Sequence, residues 1–301
     1  MITVAICTHN PRRDYLQRAL NALRQQTLPL KQWELLLIDN ASAVELTNEY
    51  DLSWHPLARR LREERIGLTY ARMRAILEAK SDLLVFVDDD NVLDKDYLAI
   101  GAQIGDRMPF LGAWGGQLLA EFETAPPDWS REYLGMLAIR EFDSDRWSNL
   151  KISLDTVPAG AGLCVRLSVA QRWRDNTAGN QRRSSLGRSG NALGSAEDTD
   201  LALTACDMGL GTGLFQDLRL THLIPAGRLK DSYLEALAEK MSYSHVILQS
   251  LRSTEQVQPQ LSLYRRMVCW VRLRQQPAVV RRIERARERG YREGLKVIGV
   301  E

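Results

Sequence analysis

The sequence predicts an α/β fold, a Rossmann-type mixed sheet flanked by helices, followed by a basic helical C-terminal region. Three observations point there. Apolar runs of strand length alternate with amphipathic helical stretches through the first hundred residues. The runs end on polar or acidic residues, at Thr8, Asp39 and Asp88. One of them, Leu83-Leu84-Val85-Phe86-Val87, runs directly into three carboxylates, Asp88-Asp89-Asp90.

Residues 2–7 read as the first strand, which closes in the polar turn Thr8-His9-Asn10-Pro11. Tyr15, Leu16, Ala19, Leu20 and Leu23 then recur at helical spacing. Residues 33–38 form a second buried strand ending on Asp39-Asn40, whereas residues 51–66 carry no clear period. A glycine turn at Gly67 opens a helix through Leu77, which leads into the strand before the acidic triplet. This alternation predicts βαβ units and a parallel sheet with right-handed crossovers. Thr8, Asp39 and the triplet then share one edge, at the carboxyl ends of the strands, where open α/β sheets bind ligands.

At 301 residues the chain is long enough for one large α/β domain with a helical appendage. Lys and Arg number 40 against 38 Asp and Glu, a net charge of +2 that gives no reason to expect a nucleic-acid partner. Cys7, Cys164, Cys206 and Cys269 form no CxxC pair, so they are expected as small buried hydrophobes in a reducing compartment. No apolar run approaches the ~18–20 residues of a membrane span, and no signal peptide opens the chain. A cytoplasmic protein is expected.

Three adjacent carboxylates repel one another unless a cation or several donors hold them, and hard divalent cations such as Mg²⁺ or Mn²⁺ prefer oxygen ligands of this kind. A solvated acidic turn is the structural alternative. There is neither a GxxxxGK[ST] loop nor a GxGxxG after the first strand, so the charge of a bound phosphate must be met another way. A metal on the triplet would do so.

Cys7-Thr8-His9-Asn10, then LLLIDNAS at 35–42, GLTYAR at 67–72 and VFVDDDN at 85–91, resemble the successive motifs of family 2 glycosyltransferases with a GT-A fold. The resemblance covers roughly residues 1–230. It implies that the loop after the first strand (Thr8, Asn10) and Asp39 hold the nucleotide base, that Asp88 or Asp89 meets the ribose, and that Asp90 binds Mn²⁺ or Mg²⁺. Arg72, in the third motif, joins the nucleotide-binding set. An ionised Asp39 only accepts hydrogen bonds, which suits the N3–H of uracil or thymine and favours UDP or dTDP donors. A turn cap is the structural alternative for Asp39.

Further along, Trp114 offers an aromatic face for a sugar, with a core position as the alternative. Gly160-Ala161-Gly162 would let backbone approach a donor sugar or acceptor closely. Residues 175–195, rich in Asn, Arg, Ser and Gly, read as a long mobile lid. Ser195 suits an N-cap, with Glu197 and Asp198 in the first turn of the helix that follows, where the macrodipole already favours negative charge. The family's ED motif implies that Asp198 is the catalytic base, with Glu197 beside it. His222 offers an imidazole to the metal, and Arg228 a guanidinium to the diphosphate.

The boundary is expected near residue 228, giving a GT-A-like domain over 1–228 and a helical region over 229–301. Between Tyr264 and Lys296, eleven Arg or Lys stand against three Glu. That pattern resembles helices lying on anionic membrane surfaces, with a solvated face or an oligomer contact as the alternative. The expected function is inverting transfer of a sugar from a nucleoside diphosphate to a glycan or lipid-linked acceptor, in the manner of surface polysaccharide or glycolipid synthesis. A GT-A-like nucleotidyltransferase and a non-catalytic nucleotide-sugar-binding or membrane-surface scaffold remain as alternatives.

Overall fold

The computed structural model describes residues 1–46, 49–151, 154–190, 192–252 and 275–300. Strand β1 (Ile2–Thr8) and strand β2 (Trp33–Asn40) are buried along their whole lengths. Their side chains divide by pleat parity. Val4 and Ile6 join Leu35 and Leu37 under helix α1 (Arg13–Arg24), which contributes Leu16, Leu20 and Leu23. Ala5, Cys7, Leu36 and Ile38 face the other way, under helix α2 (Leu68–Glu78). Burial on both faces is why these strands read as continuous apolar runs.

The aperiodic stretch holds strand β3 (Ala58–Glu63), which pairs parallel with β2 at the sheet edge. Being only partly buried, its ARRLRE sequence carries no apolar run to read. Strand β4 (Leu83–Val87) pairs parallel with β1, and the short β5 (Asn91–Leu93) follows the acidic triplet. Helix α3 (Tyr97–Arg107) leads to the long β6 (Leu111–Phe122), then to a 3-10 segment (Asp128–Leu137) and β7 (Arg146–Ser148). Strand β8 (Cys164–Arg166) lies antiparallel between β4 and β6, so the sheet is mixed, as expected, beyond its parallel core of β1 to β4.

The segment expected as one long lid is largely helical. Helix α4 (Leu167–Thr177) and the short α5 (Gln181–Ser184) leave, among the described residues, only 185–190 and 192–196 as loop before α6 (Glu197–Asp207). Strand β9 (Gly211–Ile224) completes a sheet with the order β3-β2-β1-β4-β8-β6-β9-β5, with β7 on β9. Between β6 and β9 the register jumps from Gly116↔Phe215 to Gln117↔Arg219, so Gln216, Asp217 and Leu218 bulge out. Gly116 faces that bulge, and a Cβ there would fall 1.8 Å from the Leu218 carbonyl oxygen.

Helices α7 (Asp231–Arg252) and α8 (Ala278–Ile298) pack on each other and on the 3-10 segment through Leu234, Leu237, Ala238, Val280, Ile283, Tyr133 and Leu137. This packing gives no support, over the described residues 278–296, to the expectation of a basic membrane-surface helix over 264–296. The apolar stripe of α8, including Ala286 and Leu295, is buried within the protein, and an interfacial helix needs such a stripe free. Several of its arginines are also taken: Arg282 pairs with Asp231 and Glu235, Arg289 with Glu239 at 2.6 Å, and Arg287 with Glu284 at 3.0 Å. Arg265, Arg266, Arg272 and Arg274 lie outside the described residues. Among those described, no helix is long and apolar enough to cross a membrane.

The α7–α8 contact depends on Gly290, where a Cβ would sit 1.9 Å from the Glu239 carbonyl oxygen. Gly290→Ala is expected to part the helices locally and to cost about 1–3 kcal/mol, measured by denaturant unfolding of the whole chain. An unchanged unfolding midpoint would mean that the two helices do not pack this closely.

Candidate active site

Parallel register builds one wall of the site. Ile6 pairs with Val87, so two residues further along each chain Thr8, the last residue of β1, stands level with Asp89, and its hydroxyl donates to that carboxylate. The opposite wall arrives through antiparallel register, with Asn91 of β5 opposite His222 of β9. The Leu223 amide donates to the Asp90 carbonyl at 2.9 Å, which fixes His222 beside the triplet. The His222 Nε2 lies 3.4 Å from the Asp90 carboxylate, and the Arg228 guanidinium lies 2.9 Å from the same oxygen.

Burial would raise the Asp90 pKa, but His222 and Arg228 outweigh it and hold the carboxyl well below its usual value. Asp89 has no such cation in contact. Burial and the neighbouring Asp90 charge push it up to about 7, against a partial offset from the Thr8 hydroxyl. Asp88 is also raised, chiefly by burial, although Arg72 lies 3.7 Å away.

The helix-borne carboxylates approach the same cleft, a cavity of about 310 Å³. Asp198 accepts from the Gly160 amide at 2.7 Å with one oxygen and from the Thr199 amide at 2.7 Å with the other. Ser195 is not the helix cap; Ala196 holds that position without a side-chain bond. Glu197, expected beside Asp198, is buried against Arg72 at 3.0 Å. Burial pushes Glu197 up to about 7, with Arg72 opposing and the Asp198 charge adding to the rise. Arg72 thereby bridges Asp88 at the strand end to Glu197 at the helix start, with Gly160 pressed against it: a Cβ on Gly160 would lie 2.4 Å from its Nη2.

Thr8, Arg72, Asp88, Asp89, Asp90, Gly160, Ala161, Glu197, Asp198, His222 and Arg228 all line the cleft. Four expected residues do not. Trp114 is core, sealed against Gly105, because β6 turns it beneath the sheet. Gly162, with φ at +72°, makes a left-handed turn whose missing Cβ leaves room for the Tyr97 hydroxyl. Asn10 accepts from the Ala43 amide at 2.8 Å and so ties two loops together. Asp39 accepts from the Ser42 amide at 3.0 Å and from Arg62 at 2.6 Å, so the turn-cap alternative describes it as it stands. Its pKa is lowered despite burial, by Ser42, Leu46 and Arg62.

The cleft also holds His9, Met136, Leu137, Ala138 and Arg188, which the sequence reading passed over. His9 had a signal, being next to Thr8 in the first motif. Arg188 had only its place as a cation in a polar loop.

Asp89, Asp90 and His222 supply the oxygen and imidazole donors that Mg²⁺ or Mn²⁺ takes, and the unmet charge that lifts Asp89 is what a cation would relieve. The residues fit in that chemical sense. Among the described residues, however, no group of three His, Cys, Asp or Glu is spaced to hold a metal as it stands, and Arg228 already serves Asp90 as its cation.

A mixed sheet with an acidic strand end facing a carboxylate-bearing helix start is the plan of a GT-A glycosyltransferase fold. The family model for glycosyl transferase family 2 matches residues 3–161, and the chain belongs to that family. Glycosyltransferase AglE of Haloferax volcanii is 28% identical over 135 residues, which are 41% of this chain and 44% of that one. The matched part thus spans less than half of that relative. Among solved structures, S. aureus TarS 1–349 aligns with a TM-score of 0.53 at 16% identity, over 99% of this chain and 90% of that chain. Mannosyltransferase PcManGT from Pyrobaculum calidifontis, in complex with GDP-Man and Mn²⁺, aligns at 0.58 and 17% identity, over 95% and 73%. At those identities the likeness is one of fold.

The raised acids predict a pH dependence. Folded Asp89 keeps its proton to about pH 7, against 3.8 for an unperturbed aspartate. Folding therefore holds a proton that the unfolded chain releases, and stability falls as pH rises between those values. Asp89→Asn lacks this loss, so in metal-free buffer its stability relative to wild type should grow from about pH 4 to about pH 7 and then level off. Unfolding curves at four pH values decide it; a gap independent of pH would refute the assignment.

Proposed function

We propose that this chain is an inverting glycosyltransferase that moves a sugar from a nucleoside diphosphate to an acceptor hydroxyl, with Asp198 as general base. The observation that carries the reading is Asp198 itself. Its carboxylate lines the same cleft as the triplet, and amide donors at Gly160 and Thr199 aim it without neutralising it. Each oxygen keeps a lone pair for the acceptor proton. Inversion needs attack from the side opposite the leaving group, and the cleft has Asp198 on one wall and the triplet with Arg228 on another.

In this reading Asp198 takes the proton as the acceptor oxygen bonds to the anomeric carbon, while the bond to the diphosphate breaks. Arg72 and Glu197 fix the helix start that carries Asp198. A divalent cation, Mn²⁺ or Mg²⁺, held by Asp90 with His222 would offset charge on the departing diphosphate. Family membership supports a nucleotide-sugar donor. TarS has been solved with UDP-GlcNAc and PcManGT with GDP-Man, so fold alone does not choose the base. UDP is favoured because Asp39 stays ionised and can only accept, provided that Arg62 yields to the base. A glycan or lipid-linked acceptor in polysaccharide or glycolipid assembly fits the family, with residues 1–228 as the catalytic domain.

A panel of nucleotide sugars assayed for nucleotide release identifies the donor. With it, Asp198→Asn should cut single-turnover transfer by about 10²- to 10⁴-fold while calorimetry shows donor affinity nearly unchanged. Near-wild-type transfer would place the base elsewhere. Wild-type turnover should also vanish in chelator and return with Mn²⁺ or Mg²⁺, and Asp90→Ala should not be rescued. Full turnover in chelator would remove the metal from the mechanism.

A further inference from the structure

The charges of the cleft do not balance evenly. Five carboxylates, Asp88, Asp89, Asp90, Glu197 and Asp198, face three guanidiniums, those of Arg72, Arg188 and Arg228. Arg72 is committed to Glu197 and Asp88, and Arg228 to Asp90. Arg188 differs: among the described residues its side chain has no hydrogen-bond or ion-pair partner. Its charge nevertheless acts on Asp88, Asp90 and Glu197, lowering the pKa of each, so it stands within electrostatic reach of both walls.

The backbone around it is anchored. The Arg188 carbonyl accepts from the Leu68 amide at 2.8 Å, and the Ser189 hydroxyl donates to the Ile66 carbonyl at 3.2 Å, so the loop sits on the start of α2. Ser189 and Ala192 exchange amide bonds, and the Ala196 amide returns to the Leu186 carbonyl at 3.3 Å. Close packing completes the seat. A Cβ on Gly187 would lie 2.4 Å from the Thr69 hydroxyl, and one on Gly194 would lie 2.4 Å from the Gly187 carbonyl oxygen. A half-buried guanidinium on a fixed backbone has given up part of its hydration without gaining an anion, and its planar fork suits bidentate contact with phosphate oxygens.

We propose that Arg188 is the residue of this chain that takes the diphosphate of the donor, so that the ligand ties the backbone at 186–190 to the cleft. The inference rests on the nucleotide-sugar reading above and adds to it a phosphate contact that none of the motifs carries. Arg228 can reach a diphosphate only by leaving Asp90; Arg188 breaks no existing pair to do so.

The test is calorimetry on the full chain with UDP and with uridine, both in Mg²⁺, for wild type, Arg188→Ala and Arg188→Lys. Arg188→Ala should weaken UDP by about 10- to 100-fold, as expected for charge-assisted bonds, and leave uridine unchanged. Arg188→Lys should recover part of the loss, since it restores the charge without the fork. A thermal melt checks that each variant is folded. UDP bound equally by wild type and a folded Arg188→Ala overturns this inference alone. Equal losses for UDP and uridine also overturn it, because they would show a loop that only shapes the nucleoside pocket. If wild type takes no nucleoside diphosphate, UDP or GDP, the functional reading falls and this inference with it.

Discussion

Buried negative charge at the end of one strand is the constraint on which the rest of the site depends. Asp88, Asp89 and Asp90 follow the buried residues Leu84–Val87 of β4; Asp90 is itself buried and its two neighbours are partly buried, so water reaches the triplet only in part. Such charge persists in a fold only where other groups answer it. Here the answers come from distant parts of the chain: Arg72 from α2, Thr8 from β1, His222 from the end of β9 and Arg228 from the 3-10 turn after it. The triplet therefore selects which elements converge, and the cleft is where they meet. Asp89 is the least answered of the three, which makes it the place where the site can still gain from a cation.

The second carboxylate pair follows a different logic. Glu197 and Asp198 are neighbours in sequence with opposite surroundings. Glu197 is buried on Arg72, whereas Asp198 faces the cleft between two amide donors. One carboxylate thus ties the helix start to Arg72, and the next is presented to the cleft. The α-helical turn separates them by about 100°, enough to send adjacent side chains to different environments.

The central fold was legible because its signals are local. Continuous apolar runs marked β1, β2 and β4, and the 3.6-residue period marked α1 and α2. β3 was not legible, because an edge strand of mostly charged residues has no apolar face to display. The site divided the same way. Thr8, the triplet and Asp198 stand at element ends and could be named from the chain. Arg72 was assigned to the nucleotide, yet its pairing with Glu197 is a contact across 125 residues that no local pattern encodes. Trp114 failed for the converse reason: an aromatic residue looks alike in sequence whether it faces a sugar or Gly105. In the basic C-terminal segment a count of charges along the chain left out the acids of α7, which meet Arg282 and Arg289.

The bulge at Gln216, Asp217 and Leu218 sits away from the cleft, but it sets the phase of everything after it. Side chains along a strand alternate between faces, so one residue more or fewer inverts the pattern downstream. Three extra residues on β9 are an odd number. They exchange the faces that an unbroken ladder would have assigned, and with that exchange His222 rather than Thr221 or Leu223 is presented to Asp90. A sequence change that lengthened or shortened the bulge by one residue would leave every residue of the cleft in place by name and still withdraw its imidazole. Gly116, which has no chemistry of its own, keeps that phase by leaving room for the Leu218 carbonyl.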